Sequence, residues 1–478
     1  MAATATRGLE LAANKAAAAK PIRVAPPPAL AVLALDQGSG HAATPVVRAG
    51  DRVCVGTLVA EARDPRATVL RAPVAGRVIA LESRPTPPGD GPCLLIENDG
   101  SDEPDPVITP LDCARLAPEA IVAALRSAGV AGYGGGAFPT AAKLDEARAF
   151  PARHLLLNGA ECEPWICCDD ALMRARAGDV LDGARLLLRA LDAARCTIAV
   201  LDDKPEARAA LETALAGSPD VHISIVTVPA RYPAGAERTL IEAVFGTAVP
   251  RGDRPPAAGI LCHNVATAAA VAAVARGTPA VSRIVTVTGG GVASPANVEA
   301  RLGTPIAELV ALCGGYTGDP LRLIAGGSMT GRALATDAIP VTLGLNCVLV
   351  ATRADLPDRG PERPCIRCGD CARVCPAGLL PQQLLAGLAA GDAAFVARHG
   401  LADCIECGCC DYVCPSAIPL TESFRVARAG ARRAAGAQEF SDQLRNRYEA
   451  HLARLSAASE TERQAFEAAR AQARGRGP

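Results

Sequence analysis

The sequence predicts a multidomain protein that combines α/β and α+β units, and three observations support this fold class. The chain has 478 residues, which is more than one ordinary hydrophobic core accommodates. Its pattern changes from short valine-rich runs to alternating strand and helix patterns. A cysteine-rich stretch follows near the C-terminus. We therefore expect an arm over 1–28, a small β domain over 29–104, a parallel-sheet domain over 105–281, an α+β module over 282–355, a cysteine-rich domain over 356–425 and a charged helical tail over 426–478.

Composition and charge exclude several classes of function. The net charge is −1, with 49 basic and 50 acidic residues, so no global field favours nucleic acid or anionic lipid. The N-terminus "MAATATRGLELAANKAAAAK" lacks an apolar signal core, and 19 cysteines in a leaderless chain predict metal or redox chemistry in a reducing compartment. Residues 255–275 contain no acid, lysine or arginine, but their alanine content predicts a buried loop and helix instead of a membrane span.

The N-terminal third is predicted to hold an arm and a β domain. The arm is rich in alanine and proline, and we expect a partner to order part of it. The runs "AVLAL", "AGDRVCVGTLVAEA", "ATVLRAPVAGRVIAL" and "PCLLIEN" are short and are broken by glycine and proline. Regularly spaced turns between short alternating runs predict a small β-barrel or sandwich.

The middle of the chain alternates helix and strand patterns. "APEAIVAALRSAG" predicts a helix, because Pro118 and Glu119 suit its first turn and Gly129 ends it. "HLLLNGAE" predicts a buried strand with polar residues at its carboxyl end. "CTIAVLDDKPEARAALETALAGSPDVHISIVTV" predicts strand, helix, strand, and so a parallel sheet. Residues 283–350 alternate again and predict a compact α+β module, and an Arg/Glu-rich stretch beyond about 430 predicts a solvated helix.

Two cysteine runs carry the strongest signal in the chain. "CIRCGDCARVCP" and "CIECGCCDYVCP" both follow the C-x2-C-x2-C-x3-C-P spacing of two-cluster bacterial ferredoxins, in which the fourth cysteine of each run binds the other cluster. Paired C-x-x-C motifs also bind zinc, but two identical runs that end in proline favour iron–sulfur clusters. Cys409 falls outside the spacing, so we interpret it as a buried bystander. The predicted ligand sets are Cys365, Cys368, Cys371 and Cys414, and Cys404, Cys407, Cys410 and Cys375.

A glycine-rich loop, "GVAGYGGGAFPTAAKL", occupies residues 129–144. Gly132-x-Gly134-x-x-Ala137 fits the dinucleotide fingerprint by letter, but a predicted helix precedes it where a strand is required. No acid follows at the expected distance, and the G-K-[ST] ending of a Walker A loop is absent. The loop therefore either holds a ligand against its backbone in another way or is an ordinary flexible loop.

This loop, followed by "NGAECEPWICCDDALMRA", resembles the flavin loop of the FMN/NADH-binding subunit of respiratory complex I. It resembles still more closely the RnfC/RsxC family of the Rnf electron-transport complex. "YPAGAERTLIEAVFG" and "HNVAT" are similar to further segments of that family, although His263 and Ala236 depart from the complex I pattern. The resemblance implies a Rossmann-like FMN/NADH domain, with Lys143 as a counter-charge for phosphate and Cys167 and Cys168 as packing residues. The implied cofactor-binding residues are Gly132, Gly134, Gly135, Gly136, Phe138, Lys143, Asn158, Glu161, Glu163, Tyr232, Gly235, Glu237, Asn264 and Thr267.

The resemblance extends over nearly the whole chain. "PVVRAGDRVCVGTLVAE" and "APVAGRVIAL" resemble a barrel-sandwich hybrid of the lipoyl type, but no lysine lies between Lys20 and Lys143 to carry a prosthetic arm. "IVTVTGGGVASPANVEARLGTPIAELVALCGG" resembles a β-grasp (SLBB-like) domain. With the helical two-cluster ferredoxin domain, these units complete the implied architecture.

The implied function is that of a peripheral subunit of a membrane-bound, ion-translocating ferredoxin:NAD oxidoreductase. FMN and two [4Fe-4S] clusters would relay electrons between NAD(H) and ferredoxin or flavodoxin, while other membrane subunits move ions. No residue is required as a catalytic acid or base, because hydride transfer depends on positioning. The expected location is the cytoplasmic side of the bacterial inner membrane, without a membrane span or a nucleic-acid partner. The alternatives are a soluble flavin–iron–sulfur oxidoreductase and a non-catalytic electron wire or assembly module.

Overall fold

The computed structural model describes residues 7–112, 115–150, 154–318, 320–356 and 358–474, and side chains as far as residue 471. The arm contributes a first short strand, β1 (Arg23–Val24), and otherwise has no regular structure within residues 7–28.

The β domain consists of two small antiparallel sheets. Their strand orders are β2-β8-β7-β4 and β3-β5-β6. Leu33, Val59 and Ile96 are fully buried between them, which explains the alternation of the valine-rich runs. The prediction of a small β-barrel or sandwich is confirmed. The strands are β2 (Leu30–Ala34), β3 (Thr44–Pro45), β4 (Arg52–Val53), β5 (Leu58–Glu61), β6 (Leu70–Arg71), β7 (Gly76–Thr86) and β8 (Gly89–Asn98).

The next domain has a four-stranded parallel sheet with the order β11-β10-β9-β12 and helices around it. The predicted strand–helix–strand unit forms β10, α5 and β11. Its elements are α1 (Pro118–Ala128), α2 (Thr140–Arg148), β9 (His154–Gly159), α3 (Cys168–Ala175), α4 (Ala177–Leu191), β10 (Arg195–Leu201), α5 (Pro205–Gly217), β11 (Ile223–Val228), α6 (Glu237–Phe245), a 3₁₀ helix (Pro255–Ala258), β12 (Ile260–Asn264) and α7 (Val265–Ala275).

Two features of this sheet position polar side chains. The predicted helix α1 ends at Gly129, which adopts a left-handed conformation with φ of 74°. Strand β12 is absent from the sequence prediction, which has only a loop and a helix there. It forms because the short run "ILCHN" pairs with β9 in parallel register, so that Asn264 lies beside Asn158. Both asparagines therefore lie at the carboxyl edge of the sheet, where open α/β sheets bind ligands.

The α+β module is confirmed as a mixed sheet with the order β1-β14-β13-β17-β15-β16. Helix α8 packs on it through Ile306 and Leu309, which are fully buried against Val285 and Val348. The elements are β13 (Ser282–Thr288), β14 (Ala296–Arg301), α8 (Ile306–Leu312), β15 (Arg322–Ala325), β16 (Arg332–Leu334) and β17 (Cys347–Ala351).

The N-terminal arm lies against its own chain, which differs from the expectation that a partner orders it. Strand β1 pairs with β14 in parallel, so the arm supplies an edge strand of the mixed sheet. Leu9 forms a β-bridge with Tyr232, with 2.7 Å between its amide nitrogen and the tyrosine carbonyl oxygen. The Lys15 ammonium donates to the carbonyl oxygen of Glu161 at 2.5 Å. These backbone contacts order residues 7–28 without a second protein.

The cysteine-rich domain is helical between its two motifs, as predicted. The tail is also helical, but its helix begins at Leu420, so the predicted boundary at 425/426 falls inside one continuous element. Beyond residue 430 this helix is almost entirely exposed as far as its side chains are described. Among the described residues, no helix combines the length and apolar character that crossing a membrane requires. The elements are α9 (Asp370–Val374), α10 (Pro381–Ala389), α11 (Ala393–Arg398), a 3₁₀ helix (Leu401–Asp403), α12 (Cys409–Tyr412) and α13 (Leu420–Arg474).

Candidate functional site

A cavity of about 920 Å³ lies at the carboxyl edge of the parallel sheet. Its walls come from four units of the chain: the glycine loop and strand ends of the parallel-sheet domain, residues 36–41 of the β domain, residues 342–346 of the α+β module, and the second cysteine motif. A volume of this size is typical of sites for cofactors and their substrates.

The glycine loop joins α1 to α2 and opens toward the cavity at Gly134 and Gly135. The Tyr133 amide donates to the Thr267 hydroxyl at 3.0 Å, which fixes the loop on α7. A Cβ on Gly134 would lie 3.3 Å from the Cβ of Asn264, and Gly135 has a φ of +102°. The loop thus requires glycine both for its conformation and for the close approach of its backbone to the asparagine.

Gly235 is the closest backbone contact in the cavity wall. Its carbonyl accepts a hydrogen bond from the Asn158 amide at 2.8 Å, and its own amide nitrogen lies 3.2 Å from the Cys162 sulfur. A Cβ at this position would lie 2.0 Å from the carbonyl oxygen of Ala160. Only glycine fits here without displacing the end of β9.

Two glutamates hold separate parts of the wall together. Glu161 accepts hydrogen bonds from the backbone amides of Asp169 at 2.9 Å and Asp170 at 3.3 Å, and so caps α3. Glu163 accepts from the amides of Met329 at 2.8 Å and Thr330 at 3.0 Å, which ties the end of β9 and its following loop to the α+β module. Burial raises the pKa of Glu163, and these backbone hydrogen bonds oppose that shift.

The structure brings together eight of the fourteen residues predicted from the resemblance. These eight line the cavity: Gly134, Gly135, Asn158, Glu161, Glu163, Tyr232, Gly235 and Asn264. The other six support the wall or lie behind it: Gly132, Gly136, Phe138, Lys143, Glu237 and Thr267. Gly132 closes the loop by donating to the Phe138 carbonyl oxygen at 2.9 Å, and the Arg254 guanidinium lies 5.5 Å from the centre of the Phe138 ring.

Lys143 binds Glu237, not the cavity. Its ammonium lies 2.6 Å from a Glu237 carboxylate oxygen and 2.6 Å from the carbonyl oxygen of Cys262. Burial opposes the charged form, but the neighbouring Glu237 carboxylate raises the pKa of Lys143 overall. This geometry corrects the expectation that Lys143 faces a phosphate, because both of its partners belong to the protein.

We expect Lys143→Met to lower the free energy of unfolding by about 1–3 kcal/mol, because Glu237 and the Cys262 carbonyl lose their donor. Flavin affinity of the folded protein should stay within about twofold of the parent. Urea unfolding and flavin-fluorescence titration measure the two effects. The double variant Lys143→Met/Glu237→Leu should recover part of the stability, since no carboxylate is then left unpaired. Weakened flavin binding at unchanged stability would instead indicate a phosphate contact.

Several cavity residues were missed by the sequence analysis. Asp169 belongs to the quoted segment "CDDALMR", but no feature of that segment singles it out. Arg332 and Arg432 line the cavity from β16 and α13, and they lie far from the glycine loop in sequence. No local pattern could have indicated them, because their position depends on how the domains pack.

Asp169 is a buried acid in the cavity wall, with 8% of its surface exposed. Its carboxylate accepts a hydrogen bond of 2.6 Å from the side-chain amide of Asn264. Burial, together with the nearby Glu161 charge, raises the pKa of Asp169 to about 7, and the bond from Asn264 opposes the shift.

The cysteines of the two motifs surround two further small cavities. One is lined by Cys365, Cys368, Cys371 and Cys414, and the other by Cys375, Cys404, Cys407 and Cys410 together with Cys409. Each predicted ligand set is therefore brought to one place, with the fourth cysteine of each run at the other run's cavity. Four thiols around one cavity form the donor set that a [4Fe-4S] cluster takes.

The second of these cysteine cavities adjoins the large cavity. Ile405 and Cys407 line both, and the Tyr232 hydroxyl donates to the carbonyl oxygen of Cys407 at 2.6 Å. Among the residues that the structure describes, the first cysteine cavity shares no lining residue with the large one. Its cysteines Cys365 and Cys368 are exposed instead.

Comparisons with known families agree with this arrangement. Residues 3–101 match the RnfC barrel sandwich hybrid domain, and residues 125–273 match the Nuo51 FMN-binding domain. Residues 284–333 match the SLBB domain, and residues 364–418 match the 4Fe-4S dicluster domain. The predicted fold class is confirmed, as are the FMN and 4Fe-4S domain types.

Relatives that match over most of this chain decide the family. The C-type subunit of the ion-translocating oxidoreductase complex of Rhodobacter capsulatus is 41% identical over 414 residues, which cover 85% of this chain and 79% of the relative. The chain belongs to this RnfC family. The corresponding protein of Pseudomonas aeruginosa is 42% identical over 453 residues, or 94% of this chain, but the match spans only 58% of that relative.

Among solved structures, an NAD+-reducing [NiFe]-hydrogenase in the air-oxidised state is similar at 26% identity, with a TM-score of 0.44 over 57% of this chain and 54% of that chain. Membership of the RnfC family is consistent with the four domain types found along the chain.

Proposed function

We propose that this chain relays electrons between NAD(H) and a ferredoxin-linked acceptor, as a peripheral subunit of a membrane-bound, ion-translocating oxidoreductase. The observation that carries the proposal is the second cysteine motif, which lines both the large cavity and one cysteine cavity. A flavin in the first and a cluster in the second would therefore be direct neighbours. Relatives named as subunits of an ion-translocating oxidoreductase complex support the assignment to such an assembly.

The large cavity fits FMN and a nicotinamide in its size and its donors. Backbone amides of Gly134 and Gly135 would hold phosphate, while Asn158 and Asn264 present amide groups at the sheet edge. A bound flavin accepts two electrons from a hydride and passes them on singly, which matches one-electron clusters. The protein's part is to position the nicotinamide and to exclude water from it.

The geometry also supports an order for the two clusters. The cavity of Cys375, Cys404, Cys407 and Cys410 is proximal to the flavin cavity, and the cavity of Cys365, Cys368, Cys371 and Cys414 is distal. Ile366, in the distal loop, is 68% exposed beside two exposed cysteines. Electrons would leave through this loop to another member of the complex, and ferredoxin or flavodoxin would be served indirectly. The proposed location is the cytoplasmic face of the membrane.

The first test is anaerobic reconstitution with iron, sulfide and FMN, followed by addition of NADH. Flavin bleaching and then reduced-cluster signals, observed by visible absorption and EPR, are the expected result. Clusters that dithionite reduces but NADH does not, or a chain that retains no FMN, would contradict the relay and leave an electron wire. Failure to co-purify with the membrane fraction would instead favour a soluble flavin–iron–sulfur oxidoreductase.

Arg332 and Arg432 are expected to contact the diphosphate of the nicotinamide nucleotide, because they place two cationic side chains on the cavity wall. Each change to alanine should weaken nucleotide binding about threefold to tenfold, as expected for partly exposed charge contacts. Calorimetric titration of the flavin-loaded chain with NAD+ measures the effect. Arg433→Ala is the matched control, since Arg433 neighbours Arg432 but does not line the cavity. Equal losses in all three variants would mean that only net charge matters.

A further inference from the structure

The proposed function raises a question about protons, and the inference below rests on it. Oxidation of one NADH gives one NAD+, two electrons and one proton. The clusters take the electrons one at a time, but they do not take the proton. A group in the cavity wall must therefore accept the proton before it reaches water.

A pair of buried acids occupies the cavity wall where such a group is needed. Glu161 and Asp169 both line the cavity, and their carboxylates and the Cys168 sulfur all lie within 4.8 Å of one another. The Asp169 amide donates to the Glu161 carboxylate at 2.9 Å, so the backbone of α3 holds the two acids together. The Asn264 amide, at 2.6 Å, fixes the Asp169 carboxylate from the neighbouring strand.

Neighbouring charges do not neutralise this pair by direct contact. The Lys15 ammonium, from the arm, donates to the Glu161 backbone carbonyl and not to its carboxylate. The buried Arg283 guanidinium, from β13, donates to the carbonyl oxygens of Leu343 and Tyr133. Two carboxylates this close and this buried resist ionising together, so they share a proton near neutral pH.

The other titratable groups around the pair have partners of their own. The Cys168 thiol donates to a Glu161 carboxylate oxygen at 3.4 Å, and burial raises its pKa well above the usual range. Asp170, the next residue on α3, lies 3.4 Å from the Arg174 guanidinium. Asp169 is therefore the acid of this cluster that both faces the cavity and lacks a cationic partner among the described residues.

We propose that the Glu161–Asp169 pair accepts the proton released when the nicotinamide is oxidised. An O–H bond forms on one carboxylate oxygen, and the charge of the pair changes from −2 to −1. The proton then passes to water at the cavity mouth, and the same steps run backwards when NAD+ is reduced. The pair must be free of its proton to accept one, so the oxidation rate should rise with pH through about 7.

The test uses the reconstituted chain and its Asp169→Asn variant, in which the new side chain still accepts a hydrogen bond from Asn264. In the parent, NADH-driven cluster reduction should rise about tenfold between about pH 6 and about pH 8, and in the variant it should be slower and nearly independent of pH. A second readout needs no turnover. Infrared titration of the oxidised parent, labelled with ¹³C-aspartate, should show a protonated aspartate that ionises near pH 7.

Asp170→Asn is the matched control, because Asp170 is adjacent in sequence but does not line the cavity. It should retain both the pH dependence and the infrared transition. An unchanged pH profile in Asp169→Asn, or an aspartate spectrum without a transition near neutral pH in the labelled parent, would overturn the inference. Neither result affects flavin bleaching by NADH, so failure of the inference is distinguishable from failure of the proposed function. If Asp169→Asn does not retain flavin, the labelled parent still decides.

Discussion

Cys375→Ala is expected to remove the proximal cluster, even though Cys375 belongs to the first cysteine run in sequence. Its side chain lines the cavity of Cys404, Cys407 and Cys410, next to the flavin cavity. Iron content should fall from about eight to about four atoms per chain. NADH should still bleach the flavin, but the distal cluster should no longer be reduced by NADH, because the proximal cluster connects it to the flavin. Iron analysis and EPR after NADH or dithionite addition measure these effects.

Cys414→Ala is the control, because it sits at the corresponding place in the second run but lines the distal cavity. This variant should also lose about half of its iron, yet NADH should still reduce its remaining cluster. The two variants thus have equal iron contents and opposite responses to NADH. If Cys414→Ala blocks the response and Cys375→Ala does not, the order of the clusters is reversed.

Much of the fold could be predicted because local patterns and global structure agree. The helix before the glycine loop ends at Gly129 as predicted, and the strand–helix–strand segment forms a parallel unit. The elements that were missed depend on distant partners. Strand β12 is a five-residue run that becomes a strand by pairing with β9, and β1 has only two residues, which pair with a strand far along the chain.

The candidate site was predictable to the extent that its residues lie in recognisable segments. Asn158, Glu161 and Asn264 lie at or just beyond the ends of buried strands, and all three line the cavity. A segment does not, however, specify which way a side chain faces. Lys143 lies in the glycine segment but pairs with Glu237, whereas Arg432 lies in the tail helix but reaches the cavity.

Gly235→Ala is expected to abolish flavin retention and to destabilise the parallel-sheet domain. The added methyl group would lie 2.0 Å from the Ala160 carbonyl oxygen and 3.2 Å from the Cys162 sulfur. Because the nearest atom belongs to the backbone, the end of β9 must move, at a cost of about 1–3 kcal/mol or more. That movement would break the Asn158 hydrogen bond to Gly235 and displace a wall of the cavity. Bound flavin after gel filtration and urea unfolding of the purified chain measure both effects.

Gly178→Ala separates the steric effect from the general effect of replacing a glycine. Gly178 lies in α4, where an added Cβ would have no neighbour within 4 Å. Alanine is preferred over glycine in helices, so this variant should be as stable as the parent or up to about 1 kcal/mol more stable, with full flavin binding. If Gly235→Ala also retained its flavin, the wall at β9 would have to yield by more than an ångström without opening the cavity. The flavin would then be held mainly by the glycine loop and Asn264, and Gly134 would become the position at which an added side chain blocks binding.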